Sequence, residues 1–545
     1  MPTLTITASK SVSAALFLAW AGALLPSNAA AQDTTIRFKD VTEQAGLKQP
    51  LAGIMGHGGA WGDVDGDGRP DLFVGGFSDR PVEEYHPATA QVPARLFRNT
   101  GDGFVEWQPE TTRFHGRISG ALFADFNNDG TLELYSANNA RPQSRHTDEI
   151  RGPAQRRLSN FFKNENGKLV DISRTSGACP EGMRSARNIG ALDYNRDGLL
   201  DLLVVEDVFT KNPRTLLLKN LGDLKFEVAN DEVGLPNDVH ALGLAVADIN
   251  LDGQPDFFLP HSNRMFFSGK DGKYHEGATL TEPFAWKNAD REEWPCGAAF
   301  ADLNRDGRLD LVLSIHYQQA RNKVYLNEGV KGGVPQFRDV TEAVGLGKTV
   351  PQKCPHVEVQ DFDNDGYPDI YMSAAWLDEK GNVTPLIYRN HGLKNGLPQF
   401  VPNRPIGDEM VYYPAGPSAD YNNDGKLDLF LINWFQGNHC RLMQNATDAG
   451  NWLDVHVQGT KMNRMGLGAK VSIYPAGKLG QAASLLGHQE MTIGYGYASG
   501  QEAVCHFGLA DLNSVDVLVE LPSGARLTRT GVPANQALTI TEAGE

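Results

Sequence analysis

Five cysteines in 545 residues are too few for a disulfide framework, and their odd number leaves at least one unpaired. Cys296 and Cys354 lie six and seven residues ahead of two successive acidic motifs, so a bridge between neighbouring repeats and two buried free thiols are both open. Positive charge is scarce as well: 50 Lys and Arg stand against 67 Asp and Glu, a formal charge of −17. With no basic face to neutralise phosphates, nucleic acid is excluded as a partner. Beyond the first 31 residues no apolar run is long enough to cross a bilayer, so no transmembrane anchor is expected. Nucleophile elbows, phosphate loops, Cys-x-x-Cys and His-Glu-x-x-His are absent too, which removes the common sequence signatures of hydrolases, nucleotide enzymes and zinc proteases.

The N-terminus is expected to be a cleavable signal. Lys10 precedes the apolar run from Ala14 to Leu25, and Ser27-Asn-Ala-Ala-Ala31 offers small residues for a cut after Ala31. No Cys follows that point, which argues against a lipid anchor. The mature protein is expected outside the cytoplasm: secreted, periplasmic or at the cell surface.

What the chain has in quantity is one nine-residue pattern. Asp63-Val-Asp65-Gly-Asp67-Gly-Arg-Pro-Asp71 recurs from Asp125, Asp193, Asp248, Asp302, Asp361 and Asp420, seven copies in all. A hard cation such as Ca²⁺ takes six to eight oxygens, and a tight loop supplies them from alternate residues, with Gly where φ turns positive. The expected ligands are Asp63, Asp65, Asp67 and Asp71; Asp125, Asn127, Asp129 and Glu133; Asp193, Asn195, Asp197 and Asp201; Asp248, Asn250, Asp252 and Asp256; Asp302, Asn304, Asp306 and Asp310; Asp361, Asp363, Asp365 and Asp369; and Asp420, Asn422, Asp424 and Asp428. Position six is Gly in every copy. An EF-hand would need Glu at position twelve and flanking helices, whereas here Val74 stands at position twelve inside an apolar strand. A lone Asp-rich turn is often just a solvated hairpin, but seven copies in register are not. These loops hold 23 of the 67 acids, and seven Ca²⁺ would offset 14 of the excess negative charges. The second copy, with Glu133 at position nine, is expected to differ in affinity.

Each repeat reads as four strands: a small-residue strand into the loop, an apolar strand out of it, a third ending in Asn, and a fourth of the Phe-x-Asp-Val kind. That predicts an all-β chain, a seven-bladed β-propeller with calcium loops over residues 32–445. The seventh motif lacks its fourth strand, and residues 36–41 supply one ahead of the first motif, so the chain start is expected to close the ring. Residues 446–545, with turn-separated strands and no acidic loop, predict a small β-barrel or sandwich domain. Asn382 and Asn445 match the glycosylation acceptor pattern.

Residues 36–445 resemble an FG-GAP or VCBS-type propeller, the calcium-loop class of integrin α subunits. Residues 451–543 resemble an ASPIC/UnbV domain in Asn463-Arg-Met-Gly-Leu-Gly-Ala-Lys-Val471, His506-Phe-Gly-Leu509, Pro522-Ser-Gly524 and Ala534-Asn-Gln-Ala-Leu-Thr539. The pairing is similar to the cartilage acidic protein family. Leu521 stands where that pattern has Trp, and Ala510 where it has Gly. The resemblance implies the fold and calcium, and no single biochemical activity.

Strand parity puts the acidic loops at one end of the ring and the long connections (78–94; 140–158 with Arg141, Arg145, Arg151, Arg156 and Arg157; 276–295) at the other, the top. The same count brings His57, Arg117, Arg187, His240, Lys353, His356 and Tyr412 to the upper ends of inner strands, with Glu206, His261, His316, Tyr317, Trp376 and Trp434 just after the second strands. Five of fourteen histidines in one ring point to a metal or acid/base cluster, with His57, Arg187, Glu206, His240, His261, His316 and His356 as the candidate residues. Neutral imidazoles suit a borderline metal such as Zn²⁺ in addition to calcium. The plainer reading is a solvated channel mouth. Two functions therefore stand side by side: an extracellular calcium-binding module for a protein or carbohydrate ligand, and a metal-assisted lyase or dehydratase on a sugar. For the second, fungal aldos-2-ulose dehydratase resembles the propeller portion.

Overall fold

The structure is a computed structural model that describes residues 35–80, 82–139, 158–183, 185–207, 212–277, 295–315, 322–346, 354–377, 383–403 and 413–542. Residues 34–545 form one compact unit. The signal segment, His316, Tyr317, Lys353, Tyr412, Asn382 and the five arginines of the 140–158 connection lie outside the described residues.

Seven sheets, each with four antiparallel strands from its own repeat or, in blade seven, from the chain start, follow one another along the chain, as the repeat period requires. Their inner strands are Gly59–Gly62, Ile118–Ala124, Ala186–Leu192, Ala245–Ala247, Pro295–Ala301, Val357–Gln360 and Ser418–Ala419. Every second strand begins on the ninth residue of its acidic loop: Asp71, Glu133, Asp201, Asp256, Asp310, Asp369 and Asp428. All seven loops therefore join first to second strands and share one end of the ring. Blade seven is completed from the chain start. Phe38–Asp40 pairs antiparallel with Arg441–Asn445, Phe38 opposite Asn445, and Asn403 of blade six clasps Ile36 through both backbone groups, at 3.0 and 2.8 Å. With that pairing blade seven has four strands, and its third strand is covered on its outer edge.

In four blades the recurrent Asn of the third strand binds blade to blade. Its amide donates to a carbonyl of the preceding blade's acidic loop: Asn99 to Tyr421 (2.7 Å), Asn164 to Val64 (2.9 Å), Asn220 to Phe126 (2.7 Å) and Asn445 to Phe362 (2.8 Å). Its backbone N–H meets the ninth-position carboxylate of its own loop, as Asn99 does with Asp71 at 2.8 Å. Asn445 is thus buried and spent on this joint, so it offers no accessible acceptor for a glycan. Cys179, Cys296, Cys354, Cys440 and Cys505 are all free thiols, and all are buried.

The C-terminal region forms two sheets. One holds Cys505–Ala510, Asn451–Gln458 and Gln536–Thr541; the other holds Gly487–Glu490, Lys470–Pro475, Ser514–Glu520 and Arg526–Pro533. Its apolar core (Val455, Met491, Ile493, Phe507) is continuous with that of blades two and three (Ile189, Ala191, Leu200). One further piece, Ser499–Gly500, leaves these sheets and pairs in parallel with Gly59 and Ala60, making blade one five-stranded.

Candidate functional site

The nine-residue loops owe their shape to two residues in left-handed backbone. The Gly at position six has φ between 76° and 90° in all seven copies, and position four has φ between 55° and 75°, although it is Gly only at Gly66. Asn128, Asn364 and Asn423 tolerate that conformation well; Arg196, Leu251 and Arg305 are held in it. The turn aims two backbone N–H groups at the first carboxylate. One oxygen accepts from position five at 2.9–3.1 Å, the other from position six at 2.6–3.0 Å, in every copy. In six copies the ninth carboxylate accepts from position two at 3.0–3.2 Å.

Burial disfavours so much charge. It pushes the Asp71 carboxyl up to about 7 and that of Glu133 to about 8, and holds Asp201, Asp256, Asp310 and Asp428 well above the usual carboxylate range, against the backbone N–H groups that favour ionisation. A divalent cation would remove that penalty, and the donor set is all oxygen. In the two loops with four acids, three carboxylates already converge: Asp63, Asp65 and Asp71, and Asp361, Asp363 and Asp369, with ligand atoms within 4.8 Å of one another. Buried Asp363 Oδ1 has no hydrogen-bond partner among the described residues, as fits a donor turned to an ion. In the other five loops the Asn at position three donates to the carboxylate at position five at 2.8–3.2 Å, so its carbonyl oxygen would have to turn inward to join the ligands.

The C-terminal sheets sit on part of the loop face, while the tips of several loops, such as Gly66, Asp197 and Asn423, stay exposed. The Arg464 N–H donates to Asn128 Oδ1 at 2.8 Å in loop two. Lys470 pairs with Asp248 in loop four, and the Glu490 carboxylate accepts the Asp248 N–H at 2.9 Å. His506 Nε2 meets Asn364 Oδ1 at 2.8 Å in loop six while its Nδ1 meets Asp454 at 2.7 Å. Two of these contacts use position-four residues, Asn128 and Asn364, so the left-handed turns that shape the acidic loops also form part of the seat.

From this seat the segment Gly494-Tyr-Gly-Tyr-Ala-Ser-Gly500 enters the channel. Its backbone bridges Leu244 and Ala298 through Gly496 and follows blade one through Ser499 and Gly500. Gly496 has φ +76°, and a Cβ there would lie 2.7 Å from the His356 ring. Glu358, fully buried on the inner strand of blade six, grips the segment: Tyr495 Oη at 2.8 Å, Gln501 Nε2 at 2.6 Å, and His356 Nε2 at 3.0 Å beside them. His356 Nδ1 accepts the Tyr497 N–H at 3.0 Å. The Tyr497 hydroxyl then reaches the upper end of the channel, 2.7 Å from His57 Nδ1 and 3.0 Å from an Arg187 Nη.

The residues expected at the channel mouth divide accordingly. His57 and Arg187 come together with Tyr497, and Arg187 pairs with buried Asp207. His57 packs on Trp434, ring centroids 4.5 Å apart, and Arg80 lies 5.1 Å over that Trp. Arg117 pairs with Asp79. His240 Nε2 and His261 Nδ1 face each other at 3.1 Å, with His261 at φ +79°, and burial depresses both imidazoles, His261 to about 4. Glu206 is buried against backbone N–H groups of Ser185 and Arg214, at 3.3 and 3.1 Å. His356 lies deeper, in the grip on the C-terminal segment. Sequence reading missed Glu358, Tyr495, Tyr497 and Asp207. The only available signal was the run of alternating Gly and Tyr at 494–497, which marks a backbone threaded through a narrow space.

Comparison with known proteins matches an FG-GAP-like repeat model to residues 63–136, 193–259 and 302–372, and an ASPIC and UnbV model to residues 459–545. Cartilage acidic protein 1 of Homo sapiens is 24% identical over 507 residues, 87% of this chain and 70% of that protein. The protein of the same name from Xenopus tropicalis is 24% identical over 505 residues, 87% of this chain and 72% of its own length. Among solved structures, an exotype rhamnogalacturonan lyase aligns over 89% of this chain and 73% of its own at 12% identity, with a TM-score of 0.40.

Proposed function

We propose, from the premise that this chain belongs to the FG-GAP-like repeat proteins that end in an ASPIC and UnbV domain, that it is an extracellular calcium-loaded binding module presenting the top face of its ring to a protein or carbohydrate. The observation that carries this reading is the seated C-terminal region: its sheets contact loops two, four and six and its segment 494–500 enters the channel, which leaves the opposite end for a partner. The N-terminal signal pattern supports export. Calcium would be held by the acids and asparagines of the seven loops, where it would neutralise buried carboxylates. On the top face half-buried Trp434, with Arg80 over its ring, and its exposed neighbour Phe435 supply aromatic surface with a cation beside it. In a panel of immobilised glycans and extracellular proteins, Trp434→Ala with Phe435→Ala is expected to cut binding at least tenfold, while Arg464→Ala on the seat leaves it intact. Equal binding by the double variant would contradict a top-face site.

One observation favours a second reading, a metal-assisted enzyme on a sugar substrate. Two imidazoles nitrogen to nitrogen, one on a residue in left-handed backbone, are the kind of arrangement that binds Zn²⁺ or moves protons. Elemental analysis of protein purified without a His-tag separates the two. Zinc in proportion to protein, lost in His240→Ala, supports the enzyme; calcium alone in both proteins counts against it.

A further inference from the structure

We propose that the top-face site is completed by the C-terminal domain and takes a neutral, hydroxyl-rich ligand, a glycan unit without carboxylate or phosphate, with Tyr497 positioning its polar floor. The proposal rests on the top face being the ligand face. It starts from irregularities in the inner strands. Register breaks between Ala186 and Asn188, between Ile118 and Gly120, and between Pro295 and Gly297 bulge Arg187, Ser119 and Cys296 out of the ladder. A bulge re-aims the side chain it carries. Arg187 turns so that one Nη contacts Ser119 Oγ at 3.5 Å and Tyr497 Oη at 3.0 Å.

Around Arg187 the hydrogen-bonding account does not close. Arg187 Nε, Asn188 Nδ2, Asn139 Oδ1 and Ser185 Oγ are all buried and have no partner among the described residues. Buried polar groups in folded proteins are almost always paired, so four orphans at adjoining strand ends mark a place for polar atoms from elsewhere. Their chemistry is mixed: two donors, one acceptor and one hydroxyl that serves as either. The charge there is already balanced. Arg187 is paired with Asp207, Asn139 Nδ2 donates to the same carboxylate at 2.6 Å, and Arg117 is paired with Asp79. Among the described residues, an anionic ligand would have to displace Asp207, Asp79 or, at Arg80, Glu84 to gain a counter-ion. A sugar hydroxyl, at once donor and acceptor, meets the orphaned set without disturbing either pair, and the half-buried Trp434 ring, packed on His57, stands beside the cluster as an aromatic neighbour for a sugar ring.

Tyr497 does not belong to the propeller. Its phenol fixes the Arg187 guanidinium and His57 Nδ1 from below, so the floor has this geometry only when the C-terminal segment is seated. The test uses the full chain in millimolar calcium on an array of neutral hexose and pentose oligosaccharides beside uronate-containing and phosphorylated ones. Native protein is expected to bind neutral glycans. Tyr497→Phe should weaken that binding at least tenfold and move the nitrogen resonances of the His57 ring, with the amide protection of 494–500 unchanged and the melting temperature lowered by no more than about 3 °C. Trp434→Ala is the control for the face itself. If Trp434→Ala loses binding and Tyr497→Phe keeps it, the face stands and the composite floor is overturned. Binding confined to uronates or phosphorylated glycans overturns the neutral class. Absence of binding to any glycan overturns this inference while leaving a protein ligand for the top face.

Discussion

Excess EDTA is expected to lower the melting temperature by at least about 7 °C and to release the C-terminal segment from the channel. Extracellular calcium loops of this kind bind at about 10⁻⁴ to 10⁻³ M, so at millimolar calcium each contributes roughly 1 kcal/mol by mass action, and seven contribute about 7 kcal/mol. With an unfolding entropy of roughly 1 kcal/mol per kelvin for a chain of this size, that converts to about 7 °C. The true loss should be larger, because removing the ions leaves buried carboxylates such as Asp361, Asp363 and Asp369 facing one another. The order of events follows from geometry. Loops two, four and six hold the C-terminal sheets through Asn128, Asp248 and Asn364, so the seat loosens as the loops do. Calorimetry with and without chelator, and hydrogen exchange at 494–500, provide the measurements. An unchanged melting temperature with unchanged exchange would rule out structural calcium.

Glu358→Ala is expected to destabilise the protein by about 3 kcal/mol or more and to free the same segment. The substitution leaves the Tyr495 hydroxyl, the Gln501 amide and His356 Nε2 without their acceptor in a fully buried place, and each such loss costs about 1–3 kcal/mol. Glu358→Gln keeps one carbonyl oxygen and should fall between the two. Chymotrypsin reads the consequence directly, since Tyr495 and Tyr497 are shielded while the segment is threaded and cleavable once it leaves. A Glu358→Ala protein as resistant to chymotrypsin as the parent, with the parent's melting temperature, would mean that the grip is incidental.

The amino-acid sequence determined the number of blades, the ends of the ring and the closure. Each depends on a local pattern repeated at a fixed period: alternate acids with Gly at position six, an apolar strand starting at position nine, an Asn ending the third strand, and a lone fourth strand at residues 38–40 that only blade seven could use. Local patterns are legible because the physics that requires them, positive φ at Gly68 and its six equivalents or alternation along a strand, acts within a few residues. The purpose of the third-strand Asn was not legible, since its partner is a carbonyl in another blade, 322 residues away for Asn99 and Tyr421. The channel-mouth cluster was legible only as a level in the ring. Strand parity brought His57, Arg187, His240, His261 and His356 to the same end, but parity fixes neither depth nor direction, and His356 turned out to belong to the grip on the C-terminal segment. Tyr495 and Tyr497 could not have been placed at all from sequence. They meet the ring 137 residues from Glu358 and 440 from His57, across a domain boundary, and only the packing of the C-terminal sheets onto the loop face decides that the channel is filled and that a phenol from one domain stands among the side chains of the other.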